Sequence, residues 1–161
     1  MSTSLKTDKL ENAKRRELLI GSLEASSDGI LVSDEKGNIV YVNPAYENTT
    51  GLKKEDILGQ NLKILLDLKF FNVAVSLSVL ESHEQVSIIH QYFTGKSALT
   101  TASPIFNKEG ELIGVICNTR NISELVSLRR ELEDTKMLKR KYSDELKQLR
   151  QEQLKLGGLV Y

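Results

Sequence analysis

Apolar positions recur with two different periods along this chain. From Asp8 to Leu23, the residues Leu10, Ala13, Leu18, Leu19, Ile20 and Leu23 stand among charges, a spacing that predicts an amphipathic helix. Asp8 with Glu11 three residues later offers a capping box, and Ser26-Ser27-Asp28-Gly29 has the turn chemistry to end the segment. The period then shortens. Gly29 to Ser33 and Asn38 to Val42 are β-branched runs joined by Asp34-Glu35-Lys36-Gly37, which predicts a hairpin. Between Pro44 and Glu81 the pattern is helical in short pieces, with Pro44 in a first turn and breaks at Gly51 and Gly59. A longer helix is predicted over Phe70 to Leu80. Three strands follow, Gln85 to Phe93, Ser97 to Phe106 and Glu111 to Thr119, separated by turns at Thr94-Gly95-Lys96 and Asn107-Lys108-Glu109-Gly110.

From Ile122 no Gly or Pro occurs until Gly157-Gly158, so one long helix is predicted. With Leu125 at position a, the a and d positions are Leu125, Leu128, Leu132, Thr135, Lys139, Tyr142, Leu146, Leu149, Gln153 and Leu156. Most are apolar, and Glu131 with Lys136 and Glu145 with Arg150 oppose charges across the seam, as a parallel two-stranded coiled coil requires. A helix folded back on its own domain is the alternative. The polar positions Thr135, Lys139 and Gln153 predict a weak, adjustable seam. The expected organisation is an N-terminal helix over 1–25, a core over 26–121, a coiled coil over 122–156, and the start of a linker over 157–161.

Composition narrows the function. Lys and Arg total 22 and Asp and Glu total 22, so no net field draws the chain to nucleic acid or anionic lipid. Neither contact is expected of this segment. Apolar runs such as Leu112 to Cys117 are far shorter than the roughly 20 residues of a membrane span, and the expected location is the cytoplasm. The single cysteine, Cys117, forms no internal disulfide, and with two histidines there is no cluster at zinc-ligand spacing. No metal is expected.

The element order, two strands, helices, three strands and an exit helix, is that of the PAS sensory fold, and its landmark residues resemble that family over roughly Leu23 to Leu125. The resemblance is carried by Asp28-Gly29-Ile30, by Gly37-Asn38-Ile39-Val40-Tyr41-Val42-Asn43-Pro44-Ala45, by Thr50-Gly51 and by Ile57-Leu58-Gly59. Arg120-Asn121-Ile122-Ser123-Glu124 resembles the family's Asp-Ile-Thr exit motif, with Asn121 for Asp and Ser123 for Thr. In relatives the aspartate ties the last strand to the core, a tie Asn121 can make only through hydrogen bonds. The resemblance implies an α+β fold, a five-stranded antiparallel sheet with short helices on one face. A PAS core followed by a coiled coil also resembles the sensor of sigma-54-dependent transcription activators, which implies a homodimer and an ATPase output domain beyond this segment. The alternatives are the sensor of a histidine kinase and a ligand-free dimerisation scaffold.

Catalytic machinery is not apparent. Gly95-Lys96-Ser97 lacks the first glycine of a phosphate loop, where His90 stands instead, and Ser82-His83-Glu84 imitates a phosphoacceptor box but precedes a core strand. The family often encloses a small cavity, and the resemblance points Leu31, Ser33, Leu62, Leu65, Ile88, His90, Ala98, Thr100, Gly114 and Ile116 inward. That face suits a small metabolite or a packed core. Leu62 stands where light-oxygen-voltage sensors carry their photoactive cysteine and Ile116 where they carry a glutamine, so flavin is not expected. His90 is the better candidate for an axial haem ligand, but a buried histidine satisfied by its neighbours is the preferred reading.

Overall fold

The computed structural model describes residues 2–158. In order, the elements are α1 (Ser2–Ala25), β1 (Gly29–Asp34), β2 (Ile39–Val42), α2 (Pro44–Thr50), α3 (Lys54–Ile57), α4 (Leu62–Asp67), α5 (Val75–Ser82), β3 (Val86–Gln91), β4 (Ser97–Phe106), β5 (Leu112–Asn121) and α6 (Ser123–Gly158). The five strands form one antiparallel sheet in the order β2-β1-β5-β4-β3, so the first and last strands lie side by side at its centre. This is the α+β architecture that the resemblance implied. The chain divides between Ile122 and Ser123 into two compact units.

Local chemistry explains the strand ends. Asp34 closes the β1–β2 hairpin by accepting from the Lys36 and Asn38 amides, both at 2.9 Å, while Gly37 takes φ 85°. Asn61 caps α4 through the Lys63 amide and donates to Lys36 O and Asn38 Oδ1, fixing the short helices to that hairpin. Gly29 is demanded by packing: a Cβ there would lie 2.8 Å from Tyr46 Cα. α2 can therefore rest directly on β1.

Asn43 joins four segments. Its Oδ1 accepts from Ile30 N at 2.7 Å and caps α2 through Tyr46 N at 2.9 Å, and its Nδ2 donates to Leu23 O at 2.9 Å and Asp28 O at 3.0 Å. The side chain is fully buried and every polar site on it is used. The end of α1 is thereby anchored, with Tyr41 Oη donating to Glu24 at 2.8 Å beside it.

Two apolar clusters fill the space between sheet and helices. One gathers Leu31, Ile39, Val42, Tyr46, Ile57, Leu62, Leu65, Phe71 and Cys117; the other gathers Val75, Val79, Ala102 and Val115, with Val86 and Ile88 against it.

Several expectations change. α1 starts at Ser2, so Asp8 lies inside the helix and cannot form a capping box. Its apolar residues do not share one face, and Leu10, Leu18, Leu19 and Ile20 are all exposed. The helix expected over Phe70 to Leu80 starts only at Val75, because the chain leaves helical geometry to turn Phe71 inward. α6 runs through Gly157 and Gly158 instead of ending at Leu156. Leu159, Val160 and Tyr161, expected to begin a linker, lie outside the described residues.

Asn43→Ala would strand the buried amides of Ile30 and Tyr46 and release the end of α1. Equilibrium urea unfolding should show a loss of about 2–4 kcal/mol. A change below about 0.5 kcal/mol would mean that the four bonds are replaceable by water.

Candidate functional site

A cavity lies between the inner face of the sheet and the helices. Leu31 of β1, His90 of β3, Thr100 of β4 and Cys117 of β5 form its floor, with Tyr92 just beyond the end of β3. Tyr46 of α2, Leu62 of α4, the irregular stretch around Phe71, and Val75 and Ser76 of α5 form its roof. The open space is about 20 Å³, enough for one water molecule.

The alternation of the strands decides which side chains arrive there. In β5, Val115, Cys117 and Thr119 stand opposite Ser33, Leu31 and Gly29 of β1, while Ile116 stands opposite Val32 and Gly114 opposite Asp34. Val115, Cys117 and Thr119 therefore face inward. The polar groups of the floor are joined. His90 Nε2 lies 2.9 Å from Thr100 Oγ1, Tyr92 Oη lies 3.3 Å from Thr100 Oγ1 and 3.5 Å from Thr119 Oγ1, and the two threonine hydroxyls are 3.3 Å apart. The His90 and Tyr92 rings meet edge to face at 4.4 Å.

Burial disfavours the charged forms of the ionisable groups of the cavity. It holds His90 below its ordinary pKa and raises Tyr46 and Tyr92. It also pushes the Cys117 thiol up to about 11, so this cysteine is not a nucleophile at neutral pH. Among the described residues no Lys, Arg, Asp or Glu lines the space.

Of the residues expected to face inward, Leu31, Leu62, His90 and Thr100 line the cavity. Ser33, Leu65 and Ala98 are buried elsewhere in the interior, and Ile88 packs against the second cluster. Among the described residues the Ser33 hydroxyl finds no hydrogen-bond partner. Gly114 and Ile116 are on the opposite face of the sheet, which corrects the expectation for both. Gly114 is glycine because a side chain there would run into the Ser33 carbonyl oxygen. With Ile116 turned away, its comparison with a flavin-contacting glutamine loses its force, whereas Leu62 does border the cavity. Tyr46, the 71–76 stretch through Phe71, Val73, Ala74, Val75 and Ser76, and Tyr92 and Cys117 were missed. Carrying the alternation of His90 two residues on would have found Tyr92; Cys117 was hidden by a one-residue error in the phase of β5.

The exit of the sheet is tied by charge one residue before Asn121. Arg120 makes a forked ion pair with Asp28, Nη2 to Oδ2 at 2.8 Å and Nε to both oxygens at 3.2 Å, which lowers the Asp28 pKa. Asn121 pairs with Ala98 at the end of β5, Ile122 N donates to Ser97 O at 2.8 Å, and Ser123 and Glu124 begin α6. On α6, Leu125, Leu128, Leu132, Tyr142, Leu146 and Leu149 are each more than half exposed. Among the described residues no group of three His, Cys, Asp or Glu side chains is placed to hold a metal ion, and no helix is long and apolar enough to cross a membrane.

A PAS domain family model matches residues 27–124. The signal transduction histidine-protein kinase AtoS of Escherichia coli is 31% identical over 98 residues, which are 58% of this chain and 16% of AtoS. The bacterioopsin transcriptional activator of Halobacterium salinarum is 24% identical over 127 residues, 73% of this chain and 19% of that protein. Among solved structures, histidine kinase ThkA in complex with response regulator protein TrrA matches with a TM-score of 0.56 and 32% identity, over 68% of this chain and 33% of that one. The chain thus spans less than a fifth of the length of either curated relative.

The neutral imidazole gives the site a pH signature. Because burial depresses the folded-state pKa of His90 below 6.5, the unfolded chain takes up the proton first as pH falls. Stability should be level above about pH 7 and decline as pH falls through 6.5 towards the folded-state value. His90→Gln should flatten that limb in urea titrations. An unchanged limb would place the proton uptake elsewhere.

Proposed function

The chain belongs to the PAS domain family, and from that premise we propose that it is the dimeric signal-input module of a longer regulator. In this reading the cavity takes a small ligand, β5 carries the resulting shift, and α6 passes it to an output domain. The observation that carries it is continuity. Cys117 and Thr119 stand on the same strand that ends at Asn121, and α6 begins two residues later at Ser123. Haem and flavin are no part of the reading: His90 Nε2 is paired with Thr100 Oγ1, and Leu62, which borders the cavity, stands by resemblance where light-oxygen-voltage sensors carry their cysteine.

A second copy of the chain is the proposed partner of α6. Its apolar a and d residues stand exposed along a 36-residue helix, and the g and e pairs of opposite charge favour a parallel pairing. Two outputs are compatible with such an arrangement. The order of a PAS core followed by a coiled coil resembles the sensor of a sigma-54-dependent activator, whose ATPase would receive the signal. The identity to AtoS and ThkA supports a histidine kinase equally, and the match to the bacterioopsin transcriptional activator keeps an activator in view. A ligand-free scaffold is the remaining reading, and ligand-dependent stability separates it from a sensor.

Sedimentation should therefore show a concentration-dependent dimer. Charge reversal at Glu145 should weaken it about two- to fivefold, and Arg150→Glu in the same chain should partly restore it. A monomer at every concentration would remove the seam from the account.

In a fusion with a complete output domain, one residue inserted after Glu124 rotates the following helix by about 100° and should lock output high or low. Seven inserted residues should largely preserve regulation. Unchanged regulation in both fusions would make α6 a passive tether.

A further inference from the structure

The stretch between α4 and α5 buries one aromatic ring from an otherwise exposed strap. Lys69 takes a left-handed backbone with φ 61°, and Phe70 and Val73 are 37% and 49% exposed. Phe71 between them is only 7% exposed and belongs to the same cluster as Leu31, Tyr46 and Leu62. No side chain caps α5 where the strap ends at Ala74. The ring is thus held by its own contacts rather than by a helix or strand. It borders a cavity with room for a single water.

What the ring looks onto is uncharged and mixed. His90 and Thr100 of the sheet and Tyr92 just beyond β3 supply polar atoms, and opposite them the apolar Leu62 and Val75 stand with the hydroxyl-bearing Tyr46 and Ser76. The Tyr92 hydroxyl is poorly used. Its contacts to Thr100 and Thr119 measure 3.3 and 3.5 Å, beyond the 2.5–3.0 Å of a good O–H···O bond, roughly. A hydroxyl or amide arriving there gains a hydrogen bond without breaking a strong one. A charged group would be buried with no counter-ion, which disfavours it.

We propose that Phe71 is a placeholder: its ring fills the position of an uncharged, ring-sized ligand with one hydrogen-bonding group, which enters when the strap over 69–74 moves outward and bonds to Tyr92 Oη. The inference rests on reading the cavity as the input site and adds the class of molecule it takes. Because ligand and ring compete, wild-type affinity is reduced by the fraction of molecules with the ring displaced. For a minor state of about 1–10% the reduction is about 10- to 100-fold.

The test uses the full chain with phenol, toluene and benzoate as probes, followed by calorimetric titration and by the backbone amide shifts of Tyr92, Thr100 and Cys117. Phe71→Ala should bind phenol about tenfold or more tighter than wild type, bind toluene less well, and ignore benzoate at pH 7. Phe71→Ala with Tyr92→Phe should lose the preference for phenol. If Phe71→Ala does not fold, Phe71→Leu should show the same order with a smaller gain. Equal phenol affinity in wild type and variant would show that the ring is not in the ligand's place. Toluene binding as well as phenol, or benzoate binding best, would overturn the ligand class while leaving an input cavity. Binding of no probe by any variant would overturn the placeholder, and a regulated fusion that still responds to the insertions after Glu124 would show that the input reading survives without it.

Discussion

The four hydrogen bonds of Asn43 constrain everything around them. A buried amide with both lone pairs and both N–H groups satisfied has one geometry, and here that geometry sets the end of α1, the first residues of β1 and the first turn of α2 together. Tyr46, whose amide it caps, covers Gly29 and continues into the roof of the cavity. Displacing the roof therefore disturbs α1 as well as the sheet. The incoming helix is wired to the same residue that holds the cavity's upper wall.

A second constraint lies on the floor. Hydroxyls and an imidazole that could each have been apolar are bonded to one another instead, across three adjacent segments of chain. Such a cluster contributes little net stability compared with a hydrocarbon core, and its long bonds at Tyr92 leave it unfinished. In the proposed reading an incoming polar group would bond there. The strand beneath it is central in the sheet, paired on one side with β1 and on the other with β4, and its exit is held to Asp28 by Arg120. β5 is thus tied to the start of the core through Asp28 and to both neighbouring strands of the sheet.

Much of the fold could be read from sequence because two periods dominate it. Strand alternation and the turns at Gly37, Gly95 and Gly110 located the five strands to within a few residues, and the absence of breakers located α6. What failed depended on tertiary contacts. The start of α1 carries no local signal that outweighs its high helix propensity, so Asp8 looked like a cap. Phe71 has helical spacing to its neighbours but is drawn out of a helix by burial, which no periodicity encodes. The site was legible only in part, since the inward set depends on strand phase: β4 was phased correctly through Ala98 and Thr100, and β5 was not, which put Ile116 in the place of Cys117.

The central claim is that the polar floor and the exit helix are coupled through β5, and hydrogen exchange tests it most directly. Thr100→Val removes the hydroxyl that His90, Tyr92 and Thr119 share, with nearly unchanged volume. The account predicts altered amide exchange not only in β3 and β4 but also beyond Asn121, in the first turns of α6 to Leu132. Exchange that changes within the core and is identical from Ser123 onward would contradict it.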